Sequence, residues 1–140
     1  METRLCSVCF NETTVDPCAI CADETRDKQI IAVVERPSAV LLMESEGFKG
    51  RYHVLHGTIS PREGIGPSEL RIPELIERVR QGNIYELIFW LPNTMQGNAT
   101  AMIIVGELER AGLRKIKRSA PNRRGGALWS STDLGWKKGG

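Results

Sequence analysis

All four cysteines of this 140-residue chain fall within its first 21 positions, as two Cys-x-x-Cys knuckles, Cys6-Ser-Val-Cys9 and Cys18-Ala-Ile-Cys21. Each knuckle turns two thiols toward one point. The short connection between them can bring the pairs together as a tetrahedron of sulfur ligands, the arrangement zinc favours. Asp16-Pro17 supplies a turn just before Cys18. Three other fates compete for such cysteines. Disulfides suit exported chains, and the polar start Met1–Val8 is unlike a signal peptide. A redox dithiol needs only one knuckle, in a thioredoxin-like setting that this terminus lacks. An iron–sulfur cluster uses the same ligands, and spacing alone does not separate it from zinc. The reading adopted is one structural Zn²⁺ per chain on Cys6, Cys9, Cys18 and Cys21. Such an ion staples a segment that has almost no core of its own.

From Lys28 onward strand and helix patterns alternate. Ile30–Val34 is a short β-branched run suited to a strand buried on both faces. Pro37 and Ser38 open a helix with Ala39, Leu42 and Met43 on its apolar side, ending near Gly47. Tyr52–Leu55 reads as a second strand and His56–Gly66 as a loop. Ile72, Leu75, Ile76 and Val79 lie at helical spacing, with Pro73 in the first turn and Gly82 as the stop. Ile84–Leu91 is the strongest strand signal. Asn98 is expected to cap a helix running to about Arg110, and Leu113–Lys117 is a weaker fourth strand. Repeated β-α units imply an α/β fold with a parallel sheet flanked by helices and right-handed crossovers. The divisions expected are 1–28, 29–118 and a basic, Gly-rich tail at 119–140 that is poorly ordered or loosely docked.

Charge divides the chain unevenly. Residues 1–109 carry ten Lys/Arg and sixteen Asp/Glu, a balance of −6, whereas residues 110–140 carry nine Lys/Arg and only Asp133, a balance of +8. Basic residues such as Arg114, Lys115, Lys117, Arg118, Arg123 and Arg124 can neutralise phosphates of DNA, with Trp129 and Trp136 as stacking partners for bases. The competing reading is a solvated tail without a ligand. No apolar run approaches the roughly 20 residues that span a bilayer, so a cytoplasmic location is expected.

With these features read, the chain resembles the RecR family. The resemblance rests on Leu5-Cys6…Cys9, Asp16-Pro17-Cys18…Cys21-Ala-Asp23, Arg26-Asp27 and Ile31-Ala-Val-Val-Glu35. It continues through Tyr52-His-Val-Leu-His-Gly57-Thr-Ile-Ser60-Pro61 and Gly64-Ile-Gly66-Pro67, and more loosely through Asn93-Thr94 and Ala99-Thr100-Ala101. It implies a four-cysteine zinc finger followed by a Toprim domain. It also implies a non-enzymatic mediator of DNA recombination and repair that binds DNA weakly on its own, as single strands or junctions, assembles into ring-like homo-oligomers and meets RecO- and RecF-type partners. Glu35 is the residue it suggests for contact with RecO.

Three departures stand against that pattern. The sequence begins just before the finger, so the helix-hairpin-helix region that carries much of the family's DNA contact is expected to be missing. Gln96 and Asn98 replace acids around Gly97, and no acid follows Gly125-Gly126 until Asp133. A fragment without assembly activity is therefore the main alternative.

Catalytic Toprim domains hold Mg²⁺ with a Glu after the first strand and an Asp pair after a later one. Here Glu35 fills the first position, but Leu91-Pro92-Asn93-Thr94 offers no carboxylate. One acid holds a divalent ion poorly, so no catalytic residue is assigned, and a nuclease- or primase-like enzyme is disfavoured. His53 and His56 are a weak ligand pair, and Gly64-Ile-Gly66-Pro67 lacks the Lys and Ser/Thr of a phosphate loop.

Overall fold

The computed structural model describes residues 3–121 and 128–129. Strands β1 (Arg4–Leu5) and β2 (Glu12–Thr13) pair antiparallel, and helix α1 (Ala19–Ala22) completes the cysteine-bearing segment. Then follow β3 (Ile30–Val34), α2 (Pro37–Ser45), β4 (Arg51–Val54), a 3-10 turn (Pro61–Glu63) and α3 (Ile72–Gln81). The remainder is β5 (Glu86–Trp90), α4 (Met95–Arg110), β6 (Lys117–Pro121) and β7 (Leu128–Trp129). The sheet order is β4-β3-β5-β6-β7; the first four strands are parallel and β7 returns antiparallel to β6. No helix among the described residues is long and apolar enough to cross a membrane.

The α/β class and the parallel sheet agree with the sequence expectation, and the reason is visible in β3. Ile31 and Val33 face a core closed by α3 and α4, while Ala32 and Val34 face a second core closed by α2. A strand covered on both sides has no polar alternation to offer. Ile72, Leu75, Ile76 and Val79 of α3 are all buried, as their spacing requires.

Four local expectations are corrected. In α2 the buried side chains are Val40 and Met43, whereas Leu42 is 48% exposed and Leu41 74%. Helix α4 starts earlier than Asn98: Thr94 is its cap and accepts from the Gly97 N–H at 3.0 Å. Strand β5 covers only Glu86–Trp90 of the Ile84–Leu91 run. The fourth parallel strand is displaced to Lys117–Pro121, because Leu113 and Ile116 pack against the main core as loop residues. Strand β6 thus runs across the boundary drawn at 118/119, while residues 122–127 and 130–140 of the expected tail lie outside the described residues.

The cysteine segment docks along β4, the strand at one edge of the sheet. The Val54 N–H donates to the Cys9 carbonyl at 2.8 Å, so an edge amide that would otherwise invite another strand is occupied. Phe10, at φ 65°, meets the His53 ring edge-on at 5.3 Å and lies under the Arg71 guanidinium at 4.9 Å. His56 donates Nε2–H to the Phe10 carbonyl at 2.6 Å. Below the joint, Arg26 reaches Glu44 and the Gly50 carbonyl, and Tyr52 also donates to Glu44.

His53 sits at the centre of this joint, fully buried. Its Nε2–H points at the Arg71 carbonyl (3.0 Å) and its Nδ1 accepts from Arg78 Nη1 (3.1 Å), which defines a neutral ring. Burial, reinforced by the Arg78 charge, pushes its pKa down from 6.5 to about 3. Between those values the unfolded chain binds one more proton than the folded one, so stability falls as pH falls through that window. The expected loss from His53 between pH 7 and pH 5 is about 2 kcal/mol. His53→Leu keeps the zinc ligands and removes this contribution. Urea midpoints of the two proteins should therefore converge at pH 5, and a pH-independent gap would contradict a buried neutral ring.

Candidate functional site

The first candidate site is the cysteine quartet. The first knuckle is closed by Phe10 N–H donating to the Cys6 carbonyl (2.9 Å), and the second by Cys18 capping α1. Asp16 ties the two together by accepting from Ser7 N (2.9 Å) and Ser7 Oγ (3.0 Å). Cys6 Sγ lies 3.8 Å from Cys21 Sγ, Cys9 Sγ lies 3.6 Å from Cys18 Sγ, and all four sulfurs fall within 4.8 Å of one another. A tetrahedral Zn–S₄ centre with bonds near 2.3 Å has sulfur–sulfur edges of about 3.8 Å. The quartet therefore suits one structural zinc. All four cysteines are buried, and among the described residues Ile20 is the only other apolar side chain packed with them.

The backbone favours a thiolate at Cys6. Burial pushes the Cys6 thiol up, but the N–H groups of Cys18, Cys9 and Val8 outweigh it and bring the pKa down to about 7. The thiol of Cys9 is pushed up, first by its hydrogen bond to Cys21 and then by burial. A bound divalent ion would supply the positive charge that lets all four ionise together.

The second candidate site is a concavity of about 460 Å³ at the C-terminal ends of the strands. It lies where the connections leaving β3 and β5 go to opposite faces, the usual place for a site in a parallel sheet. Glu35 lines it, and its carbonyl accepts from Gly57 N at 3.1 Å, tying the end of β3 to the loop after β4. Thr100 Oγ1 holds that loop against α4, accepting from Ile59 N (2.8 Å) and donating to the Gln96 carbonyl (2.7 Å). Ser60 and Ile65 exchange backbone hydrogen bonds that close the 3-10 turn over residues 61–64, and Gly66 N–H donates to Glu69 Oε1 at 2.8 Å.

One acid escaped the sequence reading. Glu63, on the 3-10 turn, joins Glu35 in lining the concavity, and only the fold of the loop could reveal it. Arg36, His56, Pro92, Thr94 and Gln96 also line it, none of them acidic. Among the described residues, the cysteine quartet is the only group of three or more His, Cys, Asp and Glu able to share an ion. His53 and His56 do not converge as ligands, since each is committed to a backbone carbonyl.

The basic residues lie at the opposite end of the sheet. Arg114 and Lys115 are exposed in the turn before β6, and Lys117 and Arg118 open that strand, in register with Glu86 and Leu87. Arg118 Nη2 donates to the Arg114 carbonyl at 3.4 Å, and Lys117 Nζ is 3.9 Å from Glu86. Arg123, Arg124 and Trp136 lie outside the described residues.

Comparison with known proteins matches this arrangement. The family model for the Toprim domain covers residues 29–118, and that for the four-cysteine zinc finger domain of RecR covers residues 3–23. The chain belongs to the Toprim domain family. More particularly, it is similar to the Recombination protein RecR of several bacteria, in agreement with the resemblance read from the sequence. It is 45% identical over 120 residues to that of Syntrophotalea carbinolica, covering 85% of this chain and 60% of the relative. It is 48% identical over 111 residues to that of Pelotomaculum thermopropionicum, with 79% and 56% covered. With that of Koribacter versatilis the identity is 47% over 114 residues, with 81% and 57% covered. The chain thus spans about three fifths of the length of the curated relatives it matches.

Proposed function

We propose that the chain acts as a RecR-type recombination mediator in DNA repair, in the cytoplasm, with no enzymatic activity of its own. The observation that carries this reading is the pairing of a RecR-type finger and Toprim domain with a strand-end concavity poor in acids. Mg²⁺-dependent phosphoryl transfer needs hard, charged oxygen ligands on both sides of the ion. Glu35 and Glu63 are the concavity's two acids, and Arg36, Pro92, Thr94 and Gln96 give nothing to complete the shell. A concavity of that kind serves as a docking site, with Glu35 meeting a basic group of a RecO-type partner. RecF-type proteins and further copies of the chain complete the assembly. DNA is met through Arg114, Lys115, Lys117, Arg118, Arg123 and Arg124; the first four lie at the end of the sheet away from the concavity, so at those four residues DNA and partner do not compete for one surface.

The test is binding of a RecO-type protein to the full chain and to Glu35→Lys. Reversing a charge at the contact should weaken the complex by about tenfold or more while leaving the zinc content unchanged. Equal affinity for the two proteins would remove Glu35 from the interface.

A further inference from the structure

We propose that Tyr85 and the cations before and at the start of β6 form a stacking platform for single-stranded DNA. The proposal deepens the DNA-binding reading above and rests on it, adding the residue that would meet the bases of a single strand.

Tyr85 is anomalous where it stands. The four residues after it, Glu86 to Phe89, are buried, yet Tyr85 is 46% exposed and is the one aromatic among the exposed large apolar side chains of the described residues. Its backbone is clamped from both sides: its N–H donates to the Gln29 carbonyl at 2.9 Å, and its carbonyl accepts from Lys117 N–H at 2.7 Å. The ring is therefore carried on a fixed point of the sheet, between β3 and β6. An exposed aromatic on a rigid mount loses little freedom when a base stacks on it, and stacking is open to any base because every base has a flat face.

The charges around it are arranged for an anionic backbone. Other cations near this end of the sheet are already paired, Arg80 with Glu77 and Arg110 with Glu107. Glu86 is buried beside Lys117 and accepts from Ser119 Oγ at 3.0 Å, so it does not present an exposed acid. Arg114 and Lys115 are exposed and have no ion-pair partner among the described residues. The Arg118 hydrogen bond to the Arg114 carbonyl folds their turn back toward β6, the strand that begins beside Tyr85. A ring for the bases and exposed cations for the phosphates, at the same end of two neighbouring strands, is what a single strand needs. A duplex hides its base faces and could use only the cations.

The experiment is fluorescence anisotropy of a labelled oligothymidylate with the full chain at low salt, and of a duplex of equal length. Tyr85→Ala should weaken binding to the single strand about tenfold. It should leave duplex binding and the log–log salt slope unchanged, whereas Tyr85→Phe should bind as the wild type does. The double variant Arg114→Ala/Lys115→Ala should instead lower the salt slope, by about 0.7 for each phosphate that is no longer neutralised. Tyr85 is exposed, so the variants should melt with the wild type, which circular dichroism checks. If Tyr85→Ala binds oligothymidylate as tightly as the wild type while the double variant is weakened, the platform is wrong and the electrostatic DNA reading stands. An equal loss on single strand and duplex also overturns the platform. If the wild-type chain binds neither nucleic acid, both readings fail.

Discussion

Gly97→Ala is expected to destabilise the protein by about 3 kcal/mol or more, although alanine in place of glycine within a helix ordinarily stabilises it by about 1 kcal/mol. The sign reverses because of where α4 begins. Gly97 lies in its first turn, buried, and a Cβ there would stand 2.0 Å from the Pro92 carbonyl oxygen and 3.0 Å from its carbon. Both are backbone atoms of the connection leaving β5, so no rotamer change relieves the clash. Either α4 moves away from the sheet or the connection moves into the strand-end concavity. The first loosens Ala101, Ile104 and Leu108 from the main core, and the second displaces Pro92 and Thr94. Against a typical domain stability of about 5–15 kcal/mol, such a loss lowers the melting temperature by about 10 °C. Thermal melting decides it, and a variant as stable as the wild type would refute the close approach.

Removing zinc is expected to have an effect as large, confined at first to one end of the molecule. Strands β1 and β2 have two residues each and α1 has four, and among the described residues their own buried cluster is the four cysteines, with Ile20 packed both on it and on the α2 side of the sheet. Structural zinc sites supply about 10–16 kcal/mol of apparent binding energy at neutral pH, far beyond what so small a cluster provides. Cys18→Ser should drop the metal from about one ion per chain and unfold residues 3–27. The damage then spreads to β4, since Val54 N–H is left without the Cys9 carbonyl and His53 without the ring of Phe10. Strands β3 and β5, which pair with each other in the middle of the sheet, should keep their protection. Metal analysis with hydrogen exchange checks both parts. A Cys18→Ser protein with full zinc content, or one whose β3 exchanges as fast as its finger, would contradict this account.

What could be read from the sequence was what local pattern controls. The cysteine spacing identifies its quartet because a knuckle is a local device, and Ile30–Val34 identifies a buried strand because burial on both faces leaves no polar position. Where pattern is silent, position failed. Val40-Leu41-Leu42-Met43 is apolar at every step, so it carries no phase to say that Val40 and Met43 turn inward. Thr94 and Asn98 are both good caps, and choosing between them requires the close approach of Gly97 to Pro92. Lys117–Pro121 has no strand pattern at all; pairing with β5 makes it a strand, so tertiary context overrides propensity. The same holds for function. Glu63, the His53–Phe10 joint and exposed Tyr85 are products of chain crossings that no spacing rule encodes. The basic segment was visible as composition, while the place of Arg114, Lys115, Lys117 and Arg118, at the end of the sheet away from the concavity, belongs to the fold.

A plasmid gel separates the proposed DNA-binding Toprim protein without Toprim chemistry from a catalytic one. Supercoiled plasmid is incubated with the full chain and Mg²⁺ at low salt, then divided between a native gel and a gel run after protease treatment. A retarded band is expected on the first and fully supercoiled plasmid on the second, with Glu35→Gln giving the same pair of results. Nicked, relaxed or linear plasmid that forms with the wild type and disappears with Glu35→Gln would contradict it.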